Sequence, residues 1–270
     1  PERNASVGLE SYLSALGIFD KKTSPAELAE FTMSMSDISY SQSDLTQTFS
    51  YLQQAKALHE QNRNAVGVSE VMFRLGVIAE EQGQLEEALQ YHRQSLAIRT
   101  TTGKRQIMCL SMYEMGKLFL KTADQMKKNN QQSLNDSLQA VYASSLDSAI
   151  SYFVTAEAIS QEIQDERTSA KCKNGLGHIA TLRSEWEKAY AFIDGANKSL
   201  KKLGMTKELY ESYLGLAEVS EKMGRVDQAY HYRSMYSKMK DTITAKPASK
   251  QLQLSSPKIV SERGNRSVEL

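Results

Sequence analysis

Between residues 26 and 243, apolar side chains return every three or four positions. Each such stretch closes on a short polar turn, as in "EQGQ" (81–84), "LRSE" (182–185) and "EKMGR" (221–225). That spacing gathers apolar residues on one face of an α-helix, whereas a half-buried strand would alternate them. Turns this short reverse the chain, so the pattern predicts amphipathic helices in antiparallel pairs.

The pairs repeat. Leu75-Gly76 is followed twelve residues after the glycine by Ala88, Leu176-Gly177 by Ala189, and Leu216-Ala217 by Ala229. Met115-Gly116 finds its alanine, Ala149, later. The small residue recurs at Gly76, Gly116, Gly177 and Ala217, in steps of 40, 61 and 40, so one unit carries 21 added residues. A weaker copy is centred on Ser36, with Tyr51, Leu52 and Ala55 in its second helix, and "GLESYLSAL" (8–16) reads as a lone second helix. The predicted units are a partial repeat over 5–25, then about 26–64, 66–104, 106–165, 166–205 and 206–243, with the insertion near 122–144. Small residues on both helices let their backbones cross closely. Large ones such as Tyr91, Phe153 and Tyr232 are expected to fill the spaces between pairs.

Composition agrees with a helical, folded chain: 40% of residues are hydrophobic, 24% charged, and only four are proline. A formal net charge of +1 gives no electrostatic reason to expect nucleic acid. No apolar run approaches the roughly 18 residues that cross a bilayer, and no signal peptide is present. Because the chain opens on Pro1, it reads as a processed or excised piece whose parent could still carry a membrane helix. Cys109 and Cys172 fall on apolar helix faces and read as buried free thiols, which leaves the redox compartment open.

The stretch "NGLGHIA" (174–180) satisfies the G-x-G-x-x-[GA] pattern through Gly175, Gly177 and Ala180. A dinucleotide-binding turn needs a buried strand before the glycines and a helix that begins at them. Here polar, helix-patterned sequence precedes, and the slot of Gly177 recurs in the other units, so packing explains it. His59, His92, His178 and His231 form no metal-binding spacing, and no phosphate loop or nucleophile elbow is present. No metal, cofactor or catalytic residue is predicted. The Asn-x-Ser/Thr triplets at Asn4, Asn135, Asn197 and Asn265 are expected by chance in a chain rich in Asn and Ser.

The Leu-Gly to Ala interval resembles the tetratricopeptide repeat over residues 5–242, with a period longer than the usual ~34. The resemblance implies an all-α, right-handed superhelical solenoid whose first helices line a concave groove that binds a protein or peptide. Carried over by position, the groove wall would hold Met33, Asp37 and Tyr40, then Phe73, Val77 and Glu80, then Tyr113, Lys117 and Lys121. Lys171, Asn174 and His178 follow, then Leu214, Glu218 and Glu221. The groove centre therefore reads as cationic, with Tyr113, Lys117, Lys171, Asn174 and His178 as the candidate ligand patch. Some members of the family clamp a peptide carboxylate with Lys, Asn and Arg. Here Tyr113 and Gly175 stand where Lys and Asn would be wanted.

The insertion reads as extensions of both third-unit helices joined by an exposed loop. After Ile243 the pattern stops, and residues 244–270 read as a flexible tail. "DQAYHYRSMYSKMKDTI" (227–243) followed by "ASKQL" resembles the last repeat of the sensory regions of Bacteroidetes-type two-component regulators. That likeness implies a sensory input module, periplasmic in that setting and cytoplasmic otherwise, with the output domain outside this chain. The truncated first repeat also makes self-association at that end an expectation.

Overall fold

The computed structural model describes residues 24–129 and 135–244. Residues 5–23 of the expected partial repeat, the centre of the insertion loop and nearly all of the expected tail lie outside them. Ten helices follow one another: α1 (Pro25–Ser41), α2 (Leu45–Gln61), α3 (Ala65–Glu81), α4 (Leu85–Thr102) and α5 (Arg105–Asn129). They continue as α6 (Asp136–Glu162), α7 (Glu166–Leu182), α8 (Trp186–Lys202), α9 (Thr206–Lys222) and α10 (Val226–Thr244). Consecutive helices pack as hairpins, α1/α2 through α9/α10, and each hairpin packs on the next.

The turns explain why helices stop and restart so abruptly. Between α1 and α2 the chain spends only Gln42, Ser43 and Asp44. Ser43 takes φ 62°, Asp44 N–H reaches back to Ser39 O at 3.0 Å, and the Asp44 carboxylate accepts from Gln47 N at 3.0 Å. The same device recurs as Asn62-Arg63-Asn64, where the Asn64 side chain accepts from Gly67 N at 2.9 Å, and as Ile163-Gln164-Asp165. One left-handed residue closes the old helix and the next residue caps the new one. Glycine fills the left-handed position at Gly83, where φ is 78° and an added Cβ would meet nothing.

The glycines at the repeat slots serve space instead. A Cβ on Gly76 would come within 2.7 Å of the His92 ring, one on Gly116 within 2.8 Å of Phe153, and one on Gly177 within 2.3 Å of Ile193. The next hairpin receives the same wedge. A Cβ on Gly175 would stand 2.6 Å from Phe153, and one on Gly215 3.1 Å from Ile193. The wedge is therefore the residue four after the alanine: Leu52 in the weak first unit (four after Thr48), then His92, Phe153 and Ile193. All four are buried. Tyr91 and Tyr232 stand three after it and, as expected, pack between hairpins, Tyr91 on the core that includes Leu52 of α2 and Tyr232 on the core that includes Ile193 of α8. Tyr91 is half-buried and lines a cavity of ≈ 300 Å³ between α2 and α4, while the Tyr232 hydroxyl lies 3.2 Å from that of Tyr190. At 100° per residue, position four points at the crossing and position three points past it.

Gly175 and Gly177 both lie well inside α7, which begins at Glu166, so neither opens a helix as a dinucleotide site requires. Cys109 and Cys172 are fully buried in the core around Phe153, and burial pushes the Cys109 thiol up to about 11. The insertion extends α5 to Asn129 and starts α6 at Asp136, so both exceed the 17 residues of α7. Among the described residues no helix is long and apolar enough to cross a membrane.

Ala149 and Ala189 are completely buried, and the Ala189 carbonyl lies 3.3 Å from where a Gly177 Cβ would stand. Ala149→Trp or Ala189→Trp is expected to overpack the crossing and cost about 1–3 kcal/mol in urea denaturation. Unchanged midpoints for both would show that the repeat register is wrong.

Candidate functional site

The first helices of the hairpins lie side by side. α5 touches α7 and α7 touches α9 directly, while no comparable contact links successive second helices. The odd-numbered helices therefore form the inner, concave wall. Amphipathicity dictates this: their apolar stripe faces the partner helix, and the remaining polar stripe faces the groove.

Across that wall every junction is bridged by ionisable side chains. Arg74 on α3 pairs with Asp37 on α1, and also with Glu70 at 3.2 Å. Lys117 on α5 reaches Glu80 on α3 at 2.9 Å and pairs with Glu114 one turn before it, while Lys121 lies 3.3 Å from Glu80. His178 Nε2 on α7 is 3.2 Å from Asp124 on α5, and Lys171 on α7 is 3.3 Å from Glu208 on α9. Asp37–Arg74, Glu80–Lys117 and Lys171–Glu208 are each 37 residues apart, which is one period less three.

Placed in this ladder, the predicted patch changes character. Lys117, Lys121 and Lys171 are each paired with a carboxylate from a neighbouring helix, so the groove centre is not the free cationic surface the sequence suggests. Like charges on one helix were visible in the sequence, but their counter-charges sit a repeat away. Burial alone would depress the Lys117 ammonium, but Glu114 and Glu80 outweigh it and raise its pKa. The reciprocal effect appears at Glu80, where Lys117 and Lys121 overcome burial and hold the carboxyl below its usual range.

The other candidates divide between packing and open groove. Phe73 is half-buried, edge-on to His92 at 5.2 Å and beneath the Arg99 guanidinium at 4.6 Å, and Met33 is buried. Tyr113 packs near Phe153 at 5.9 Å, with Lys171 Nζ 5.4 Å above its ring. Burial first, then Glu114, lifts its phenol well above the ordinary value. The Tyr113 hydroxyl, Asn174 and Glu218 make no hydrogen bond or ion pair among the described residues. The structural positions Gly76, Ala88, Gly116, Ala149, Gly177, Ala189, Ala217 and Ala229 all line the hairpin crossings and are buried.

Sequence reasoning missed Glu114, Asp124 and Glu208. The signal was available for some: opposite charges one period apart, less three, mark a pair across adjacent first helices. Asp124 could not be found so, since it belongs to the insertion and joins the groove only through His178. Among the described residues no group of three His, Cys, Asp or Glu side chains could hold a metal ion. Asn197 of the Asn-x-Ser triplets is buried, and its amide donates to Ser212 at 2.7 Å.

Comparison with known proteins agrees with this architecture. Residues 28–101 match the tetratricopeptide repeat family. No curated protein matches the sequence. Among solved structures, BtubC (BKLC) from P. vanneervenii is similar with a TM-score of 0.64 at 14% identity, over 94% of this chain and 95% of that one. Aspartyl phosphate phosphatase F from Bacillus subtilis has a TM-score of 0.62 at 14% identity, over 90% of this chain and 60% of its own. A Podosopora anserina putative kinesin light chain with nearly identical TPR-like repeats has a TM-score of 0.54 at 13% identity, covering 82% of this chain and 99% of that chain. At such identities the likeness establishes the fold alone, an all-α solenoid of helical hairpins.

Proposed function

We propose that this chain is a non-enzymatic binding module that receives a protein or peptide partner in its concave groove, as the input region of a signalling protein. The observation that carries the reading is the continuous wall of α1, α3, α5, α7 and α9, whose junctions are bridged by side chains that also face the groove. A partner lying along that wall touches several junctions at once, and small rotations at each add along a solenoid in which units contact only their neighbours. The resemblance of residues 227–243 to two-component sensory arrays supports the signalling half of the reading. A constitutive scaffold is the alternative, and it would bind without a change of curvature.

The test avoids Lys117. A Lys117→Glu change would place a third carboxylate between Glu80 and Glu114 and weaken the fold itself, so loss of binding would be ambiguous. Asn174 is half-buried at mid-groove and makes no hydrogen bond among the described residues, so Asn174→Trp should fill the groove and leave the core intact. Peptides selected from a random displayed library against the full chain are expected to lose binding to Asn174→Trp at unchanged thermal midpoint. They are also expected to alter the X-ray scattering profile of the wild type. Retained binding would remove the groove from the reading, and an unaltered profile would favour the scaffold.

A further inference from the structure

α2 and α4 both pack on α3, and between them lies a cavity of ≈ 300 Å³, away from the groove. Its floor is Met72 and Leu75 of α3, both buried. Gln53 and Lys56 line it from α2, and Glu87, Gln90, Tyr91 and Gln94 line it from α4. Glu87, Gln90 and Gln94 are exposed, so the cavity opens to solvent along α4. We infer that this cavity is a binding site for a free α-amino acid with an apolar side chain. The inference stands apart from the groove reading, because none of these residues belongs to the groove wall.

Opposite walls of the cavity carry opposite charges, Lys56 from α2 and Glu87 from α4. Lys56 meets Glu60 of its own helix at 3.6 Å, a long pair to an exposed carboxylate that leaves other donors of the ammonium open. Glu87 closes no ion pair among the described residues. It lies beside the phenol of Tyr91 one turn on, whose pKa is raised first by burial and then by that carboxylate. An amino acid carries the matching charges on one carbon. Its carboxylate would meet Lys56 and its ammonium Glu87, as charge-assisted hydrogen bonds.

Between the charges stand the carboxamides of Gln53, Gln90 and Gln94, whose side chains make no hydrogen bond among the described residues. Each offers donors and an acceptor to the remaining lone pairs and protons of the ligand's charged end. Beneath them Met72 and Leu75 present apolar surface, and the flexible Met72 thioether can adapt to side chains of different shape. At ≈ 300 Å³ the cavity is small for a ligand site, with room for one such molecule and none for a folded segment. A sugar would leave both charges without partners and press hydroxyls on the apolar floor. A simple anion or cation would meet its own sign on one wall.

The test titrates the full chain with L-leucine, L-methionine and L-phenylalanine in a calorimeter, and saturable binding is expected. Leucinamide, which lacks the carboxylate, and N-acetyl-leucine, which lacks the ammonium, are expected to bind at least about tenfold more weakly than leucine. Lys56→Met should erase the preference for leucine over leucinamide, and Glu87→Gln the preference over N-acetyl-leucine. Gln94→Trp should abolish binding by filling the cavity, while Asn174→Trp in the groove should leave it unchanged, all at unchanged helical content. Absence of binding by any of these amino acids at millimolar concentration would overturn the inference. So would binding that Gln94→Trp leaves intact, or glucose that binds in their place. The groove reading survives each of these results, since it rests on its own peptide selection.

Discussion

Arg99→Met is expected to destabilise the protein by about 3–5 kcal/mol, the largest single effect foreseen. Arg99 stands in the last turn of α4 yet is completely buried. Its guanidinium donates to Glu70 at 2.6 Å, to Ser111 Oγ at 2.8 Å and to the Ile107 carbonyl at 3.0 Å, and it lies 4.6 Å above the Phe73 ring. These groups belong to α3 and α5, so one side chain ties the second hairpin to the third. Methionine keeps most of the stem's volume but strands the Ile107 and Ser111 acceptors in the joint. Glu70 keeps Arg74, which limits the loss. Arg99→Lys should recover only part of it, because an ammonium cannot reproduce the planar fork. Urea denaturation gives the magnitude, and amide exchange should localise the loss to α4 and the start of α5. Exchange rising evenly over all ten helices would argue against a local joint.

The second large effect depends on pH. His92 is completely buried at the α3–α4 crossing, and neither ring nitrogen has a hydrogen-bond partner among the described residues. Burial, then Lys117 and later Arg99, depresses its pKa from 6.5 to about 4, with Glu80 opposing. The unfolded chain therefore takes up a proton at a pH where the folded chain does not. Stability from this group is complete above pH 6.5, falls as pH drops from 6.5 towards 4, and changes no further below that. The full difference amounts to about 3 kcal/mol. Glu80, whose carboxyl is held low in the folded state, contributes a separate loss that begins only below its ordinary value of 4.5. His92→Phe copies the Phe153 solution of the next unit and should flatten the profile between pH 4 and 6.5. An undiminished slope in that variant would assign the transition to other groups.

Both residues show how far a sequence can be read. The wedge position follows from geometry once the crossing is known, but the sequence alone does not mark His92 as the residue that fills it. Arg99 looked like an ordinary basic residue at a helix end, where it would favour the helix dipole in water. Nothing in the local pattern says that the third hairpin closes over it. In the corresponding slots of the next two units stand Ser160 and Leu200, both buried, so no repeat consensus could flag it either.

The groove gives the same lesson in charge. Tyr113, Lys117, Lys171, Asn174 and His178 were legible as one polar face because a helix places residues three, four and seven apart on one side. Glu80, Asp124 and Glu208 neutralise that face from other helices, and Asp124 arrives through a hairpin extension that breaks the period.

By itself the sequence determined that this chain is a row of helical hairpins, where each hairpin turns, and which small residues let its helices cross. Those features are written in neighbours within one or two turns, where backbone geometry and the apolar period act directly. Tertiary structure alone decided which buried position carries the wedge, which arginine is sealed into a joint, and which groove charges are already satisfied. Each of those depends on what a neighbouring repeat brings to within a few ångströms, and Coulomb and packing forces act through that distance rather than along the chain.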